Sequence, residues 1–267
     1  RPDQFEKSPT LSYSGPSAGA KTVSVEANIV LHFSEYVDFE TDNISIFKTS
    51  DDSLVETIDI NDGTKVKGIG SNIYKLDGEF VTGTGSDQIQ VNLSNDLEEE
   101  TEYYVQIDAT AFDDPKGNSY AGISDKISLS FTTSANPPLI TPKYITPVSG
   151  YTHFRTNQNI KLRFDHGIDV KNGNIIIYKT SNNSVVETID VTSSLVTVTT
   201  QDGTRDGVPY KRSDITINPI NDLEENTEYY VQIDATAFDD IYGYSYSGIS
   251  DKTTLSFKTF TSDFSKI

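Results

Sequence analysis

One stretch of fourteen residues occurs twice in this chain, and it constrains the fold more than any other feature. The sequence TEYYVQIDATAFDD fills Thr101–Asp114 and recurs letter for letter at Thr227–Asp240. Within it, candidate inward residues alternate with outward ones, which is the period of two of a half-buried strand. We therefore expect each copy to be one long inner strand that runs into an acidic loop. The inward residues of the first copy are Tyr103, Val105, Ile107 and Ala109.

The repetition extends over most of the chain and predicts two domains. Asn159–Phe164 matches Asn28–Phe33 at an offset of 131, whereas the fourteen-residue stretch repeats at an offset of 126. The second copy is therefore five residues shorter, and we place the deletion in the Gly-rich segment before the acidic turn, because indels collect in loops. The predicted domains are residues 9–134 and 142–260, joined by a Pro-rich and hence stiff linker.

Each domain shows about seven short runs of strand character, separated by turn signals and without helical periodicity. This pattern predicts an all-β chain of two tandem Ig-like β-sandwich domains. Leu97, Thr101 and Tyr103 fit the corner of Ig-like domains in which a Tyr hydroxyl bonds to nearby backbone. A simple buried aromatic ring is the alternative.

Composition excludes several classes of partner. The formal net charge is -19, from 40 acidic and 21 basic residues, so nucleic acid is an unsuitable partner. No apolar run reaches transmembrane length, and we expect a chain that does not span a membrane. There is no Cys, so the domains depend on packing or on oxygen-ligated metal. The absence of an initial Met is consistent with the loss of a signal peptide.

An acidic loop of the first domain is the candidate site. Calcium takes six to eight oxygen ligands from carboxylates, amides and backbone, which two neighbouring acidic loops can supply. Ordinary turn chemistry is the alternative, since Asp, Asn and Gly favour turns through their own side-chain and backbone preferences. No cofactor is certain, and calcium is the candidate. The residues of this predicted metal site are Glu35, Asp38, Asp113, Asp114 and Asn118.

The chain resembles a known family, the bacterial Ig-like domains of the Big_5 or SwmB-like type that occur in tandem on cell-surface proteins. The resemblance is carried by four motifs in the first copy, which are N-I-x-L-x-F-S-E-x-V from Asn28, L-x-x-x-T-x-Y-x-V-x-I from Leu97, D-x-x-G-N from Asp114 and S-F-T-T from Ser130. It implies an extracellular or cell-surface location. The implied role is structural or adhesive, as a building block of a surface layer, adhesin or appendage, and not enzymatic.

The second copy departs from this pattern at positions that matter for a site. Ser34-Glu35 is replaced by Asp165-His166, and Asn118 is replaced by Tyr244. A site that depends on Glu35 or Asn118 is therefore expected to be weak or absent in the second domain.

Two alternatives to a structural role stay open, namely a glycan- or protein-binding module and the accessory domains of a larger secreted enzyme. We expect partners to be copies of the chain itself or other surface proteins, with glycan as a further candidate. The segments Arg1–Ser8 and Phe260–Ile267 lie outside the two copies. One of them is expected to pair with a neighbouring subunit or with the next domain, because sheet edges accept added strands, and frayed ends are the alternative. Gly15–Gly19 matches a nucleophile-elbow pattern but is placed in a loop before the first strands, so we expect no catalysis from it.

Overall fold

The computed structural model describes residues 5–205 and 208–260. The chain divides into two compact units between Pro138 and Leu139. The described residues contain strands and turns but no helix. Accordingly, none of them lies in a helix long and apolar enough to cross a membrane. The expectation of an all-β chain with two tandem Ig-like β-sandwiches is confirmed.

The first domain is built from two facing sheets. One has the order β1-β3-β9-β6, with β11 paired to β3, and the other has the order β2-β12-β10-β4-β5. The strands β7 and β8 form a separate two-stranded sheet. The strands are β1 (Leu11–Gly15), β2 (Ala20–Val23), β3 (Ile29–Phe39), β4 (Asn43–Lys48), β5 (Leu54–Asp59), β6 (Val66–Gly68), β7 (Ile73–Leu76), β8 (Glu79–Thr82), β9 (Ser86–Val91), β10 (Glu102–Ile107), β11 (Phe112–Asp113) and β12 (Ser130–Thr133).

The inner strand β10 organises this core. It is hydrogen-bonded to β4 on one side and to β12 on the other. Tyr103, Val105 and Ile107 point inward and are buried, as their alternation predicts. They join Leu31 and Ile89 of the facing sheet in a single hydrophobic cluster, so the two sheets are held together by residues of alternate positions.

The second domain repeats this plan. Its sheets have the orders β13-β15-β20-β19 and β14-β23-β21-β17-β18, and β16 pairs with β22. Strand β21 takes the central place that β10 has in the first domain, so the repeated sequence corresponds to a repeated fold. The strands are β13 (Tyr144–Thr146), β14 (Tyr151–Phe154), β15 (Ile160–Phe164), β16 (Ile168–Val170), β17 (Asn174–Lys179), β18 (Val185–Asp190), β19 (Val196–Arg205), β20 (Val208–Ile217), β21 (Glu228–Ile233), β22 (Phe238–Asp240) and β23 (Ser256–Thr259).

The five-residue difference between the copies falls in the expected segment. β5 and β18 still match at an offset of 131, whereas β10 and β21 match at an offset of 126. Between them the first domain has the short strands β6 to β9, and the second has one long hairpin of β19 and β20. The indel therefore accompanies a change in how one side of the sandwich is built.

The expectation of one long strand over Thr101–Asp114 is wrong in its second half. β10 ends at Ile107, and Ala109 is exposed instead of facing the core. The backbone turns here because the amide of Ala111 donates to the carbonyl of Asp108 at 3.1 Å. The chain then re-enters the sandwich as the two-residue strand β11. Alternation of residue type continues through this turn, which is why the pattern overestimates the strand.

The amino-terminal part of the first domain is more ordered than the sequence suggests. Phe5 is completely buried, and its ring lies edge-on to Tyr74 with centroids 5.6 Å apart. The side-chain amide of Asn118 donates to the carbonyl oxygen of Phe5 at 3.1 Å. The expectation that Arg1–Ser8 lies outside the first copy is therefore wrong at Phe5. Strands β1 and β2 flank the Gly15–Gly19 turn, so the expectation that this segment precedes the first strands is wrong.

Each domain has two poles, which we name by the ends of its own chain. The C-terminal pole is where the last strand ends, and in the second domain it includes the turn from β14 to β15, because β14 runs parallel to β23. The N-terminal pole is the opposite one. In the first domain it includes the end of β10 and the start of β4, because β10 runs antiparallel to β12.

Candidate functional site

The acidic loop after β11 is organised by one buried carboxylate. Asp114 is 3% exposed, and its Oδ1 accepts hydrogen bonds from the amides of Lys116 at 2.8 Å and Asn118 at 2.9 Å. Its Oδ2 accepts from the side-chain amide of Asn118 at 2.8 Å. Gly117 adopts a φ of 80°, a left-handed conformation that suits glycine. Asp114 and Asn118 are thus brought together, and both carboxylate oxygens of Asp114 accept hydrogen bonds from residues of the turn.

Asp38 and Asp113 are brought together by the pairing of β3 with β11, where they lie directly opposite each other. The hydroxyl of Tyr36 donates to Oδ1 of Asp38 at 2.7 Å and accepts from the amide of Gly85 at 2.7 Å. Burial and the neighbouring Asp38 raise the pKa of Tyr36, so this hydroxyl stays protonated and remains a donor. This part of the acidic region is therefore tied to the fold by Tyr36.

Among the carboxylates of this region, Glu35 has the most strongly shifted pKa. Burial, together with the smaller effect of the charge of Asp114, raises its pKa from 4.5 to about 7. Its Oε2 is buried and has no hydrogen-bond partner among the residues that the structure describes. Both the protonated and the ionised form of Glu35 are therefore populated near neutral pH.

Among residues 5–205 and 208–260 no three His, Asp or Glu side chains are grouped closely enough to hold one metal ion. The structure brings the predicted ligands together in two pairs, Asp114 with Asn118 and Asp38 with Asp113, with Glu35 close enough to Asp114 for its charge to be felt. Calcium binding by these five residues stays a prediction.

In the matching region of the second domain, a lysine neutralises one of the acidic side chains. Asp169 lies opposite Asp239 in the pairing of β16 with β22. The ammonium of Lys171 lies 3.1 Å from Oδ2 of Asp239, whose side chain is 6% exposed. The first domain has Glu40 at the position of Lys171. The two N-terminal poles therefore share a backbone plan but differ in charge.

The tyrosine corner expected from the sequence is present in both domains. The amide of Glu98 donates to the hydroxyl oxygen of Tyr103 at 2.9 Å, and the amide of Glu224 donates to that of Tyr229 at the same distance. Tyr103 is thus more than a buried ring, because its hydroxyl satisfies a backbone donor of the preceding turn.

A second anchor of the same corner was not anticipated from the sequence. The hydroxyl of Thr133 donates to the carbonyl of Glu98 at 2.5 Å and accepts from the amide of Thr101 at 3.1 Å. Thr259 makes the matching bonds in the second domain. Both threonines are visible in the sequence as the last residue of the repeated S-F-x-T motif. A Thr at the end of a strand does not by itself predict such bonds, because its partners lie far away in the sequence.

Stacked aromatic rings cover the outer face of each central strand. Phe47 stacks on Tyr104 with centroids 5.1 Å apart and planes 12° apart, and the ammonium of Lys126 lies 5.5 Å from the Tyr104 centroid. Asp52 accepts from the Tyr104 hydroxyl at 3.2 Å and from Lys126 at 2.5 Å. Tyr104 is therefore buried, and its ring is engaged within its own domain.

The second domain reproduces this stack with one change of charge. Tyr178 stacks on Tyr230 at 4.8 Å, and Lys252 lies 5.4 Å from the Tyr230 centroid. Asn183 takes the place of Asp52 and accepts from Lys252 at 2.7 Å. The stack therefore does not depend on the ion pair.

A polar recess lies at the C-terminal pole of the second domain, where β14 turns into β15. Its volume is about 790 Å³. Two of the lining residues are cations and three are side-chain amides. It is lined by Thr146, Arg155, Asn157, Gln158, Asn159 and Lys161. The sequence gives no signal for this recess, because its two basic residues are six positions apart and have no motif between them.

Comparison with known proteins is consistent with this architecture. The family model Big_5, described as a bacterial Ig-like domain, matches residues 6–133 and again residues 135–259. None of the curated proteins compared with the chain matches it.

Proposed function

Because the chain belongs to the Big_5 family of bacterial Ig-like domains, we propose that it is a structural or adhesive module outside the cell. The role we assign is a building block of a bacterial surface layer, adhesin or appendage. Bacterial Ig-like domains are in general non-catalytic modules, and they typically occur in extracellular or surface proteins. The proposal therefore assigns no reaction to this chain.

The observation that carries the proposal is what the two copies retain. The identical stretch supplies the central strand, the tyrosine corner and the inner half of the aromatic stack, all of which stabilise the sandwich. In contrast, Glu35 and Asn118 become His166 and Tyr244 in the second copy. The repeated sequence thus preserves architecture, whereas the candidate site differs between the domains.

Surface location is tested by protease treatment of intact cells that produce the chain. An antibody against the purified chain would follow its digestion, and a cytoplasmic protein would serve as the internal control. We expect the chain to be cleaved while the cytoplasmic protein stays intact. A chain that is protected until the cells are lysed would contradict the proposal.

The structural role is separated from the binding role by two further measurements. Ordered lattices or filaments of the purified chain in the electron microscope, with or without calcium, would support a building block. Saturable binding on a glycan array by a chain that does not assemble would support a glycan-binding module instead. These outcomes differ because a lattice needs contacts between copies, whereas sugar binding does not.

A further inference from the structure

We propose that the recess at the C-terminal pole of the second domain binds the acidic N-terminal pole of the first domain in a second copy of the chain. This inference rests on the proposed structural role and names the partner and the surfaces.

The lining of the recess is suited to carboxylates. Arg155 and Lys161 supply positive charge, and the amides of Asn157, Gln158 and Asn159 supply additional hydrogen-bond donors. No carboxylate is among the described residues that line it. A guanidinium and an ammonium with neighbouring amides form charge-assisted hydrogen bonds with acidic side chains.

The basic character of this pole is specific to the second domain. Asn159 and Asn28 occupy matching positions at an offset of 131, which places both turns in register. At the same offset the first domain lacks both cations and carries an acid. Arg155, Asn157, Gln158 and Lys161 correspond to Ser24, Glu26, Ala27 and Val30.

The acidic character of the complementary pole is specific to the first domain. Glu40 and Asp42 are exposed in the turn from β3 to β4 and lie close to Asp108 of the neighbouring turn. The second domain has Lys171 and Gly173 at the positions of Glu40 and Asp42. The C-terminal pole is therefore basic only in the second domain, and the N-terminal pole carries Glu40 and Asp42 only in the first domain. These two surfaces are opposite in charge.

A second copy of the chain is the partner that these charges favour. With 40 acidic and 21 basic residues, the chain repels itself at most surfaces, so attraction is confined to places where cations are exposed. The loop beside the recess, in which the amide of Leu223 donates to the carbonyl of Thr156 at 2.9 Å, carries three acids, of which the Glu224 carboxylate accepts from Lys179 at 2.5 Å. The other two are Asp222 and Glu225. A contact between unlike surfaces of identical chains is heterologous, and it can add further copies.

Sedimentation velocity of charge-reversed full-length chains tests the inference. One variant carries Arg155→Glu and Lys161→Glu, and the other carries Glu40→Lys and Asp42→Asn, since Asn tolerates the φ of 78° at that position. We expect each variant alone to associate at least about tenfold more weakly than the wild type, because rim charges set attraction and register. An equimolar mixture should restore association, because the unchanged recess of one variant can bind the unchanged pole of the other, and the two altered surfaces are also opposite in charge.

The matched control carries Lys67→Glu and Lys75→Glu, two exposed positions outside both surfaces that give the same change in net charge as the Arg155 and Lys161 variant. It should associate as the wild type does, and about 1 M salt should weaken all association because the Debye length falls to about 3 Å. Circular dichroism melts verify that every variant folds.

Three outcomes would overturn the inference. They are a wild-type chain that stays monomeric, charge variants that associate like the control, and a mixture that fails to recover. Saturable binding of polygalacturonate that needs Arg155 and Lys161, in a chain that stays monomeric, would assign the recess to an acidic glycan instead. None of these results bears on protease accessibility at the cell surface, so failure of this inference is distinguishable from failure of the proposed function.

Discussion

The substitution Tyr103→Phe removes one hydroxyl from the tyrosine corner and little else. The ring is 1% exposed, and its centroid lies 5.8 Å from that of Phe131. Phe fills the same space, so no cavity forms. The amide of Glu98, which donates to the hydroxyl at 2.9 Å, loses its acceptor. We expect a loss of about 1–2 kcal/mol in the unfolding free energy of the first domain, because a part-buried donor is left unsatisfied.

Hydrogen exchange of the intact chain, read by mass spectrometry, measures this effect within one domain. A loss of about 1–2 kcal/mol corresponds to an increase of roughly 5- to 30-fold in the open population. The increase should appear in peptides of the first domain and not in those of the second. Tyr229→Phe should give the mirror result, since Tyr229 makes the same bond with Glu224.

Tyr104→Phe is the matched control at the adjacent position. Its hydroxyl donates to Asp52 at 3.2 Å on the outer face of the sheet, where water replaces the lost bond. We expect a change within about 0.5 kcal/mol. Equal effects of Tyr103→Phe and Tyr104→Phe, or no effect of Tyr103→Phe on exchange in the first domain, would refute the assignment of the corner bond.

Three further substitutions have expected outcomes. Val105→Ala should lower the unfolding free energy by about 1–3 kcal/mol through lost burial and a residual cavity, and an unchanged urea midpoint would contradict its place in the core. Tyr246→Phe should leave stability unchanged or raise it, because the buried hydroxyl has no partner among the described residues, and a clear loss in a thermal melt would reveal one. Folding raises the pKa of Glu35 from 4.5 to about 7, so its protonation stabilises the fold below pH 4.5 and this contribution is lost as the pH rises through about 7. Glu35→Gln should remove that pH dependence from melts of the first domain. If calcium binds there, EDTA should lower the first melt more than the second, and identical melts with EDTA and with calcium would leave only the turn chemistry of Asp114.

The sequence predicted most of the fold because its repetition and alternation report burial directly. The period of two across Tyr103, Val105 and Ile107 can be satisfied only by a strand with one face in the core. It could not show where the strand ends, since Ala109 continues the pattern into a turn. It also left Phe5 outside the domain, because one aromatic residue in a polar segment has no periodicity.

The candidate site was predictable in composition but not in arrangement. Asp, Asn and Gly in the acidic loop are compatible with both a metal site and a turn, and only the hydrogen bonds of Asp114 show that its carboxylate organises the turn. The raised pKa of Glu35 depends on burial beside Asp114, two residues that are far apart in the chain.

The sequence by itself determined the number of domains, the β class and the central strand, because each follows from local patterns that are repeated along the chain. Only the tertiary structure decided which charges share a surface. Arg155 and Lys161 become neighbours in a recess because a turn between two strands brings them together. Glu40 and Asp108 lie at one pole because strands from different parts of the chain begin or end there, and hydrogen bonds of Glu40 with Ala111 and of Asp108 with Asn43 join the two turns. Strand pairing brings together residues that are distant in the sequence, and no local pattern records which ones will meet.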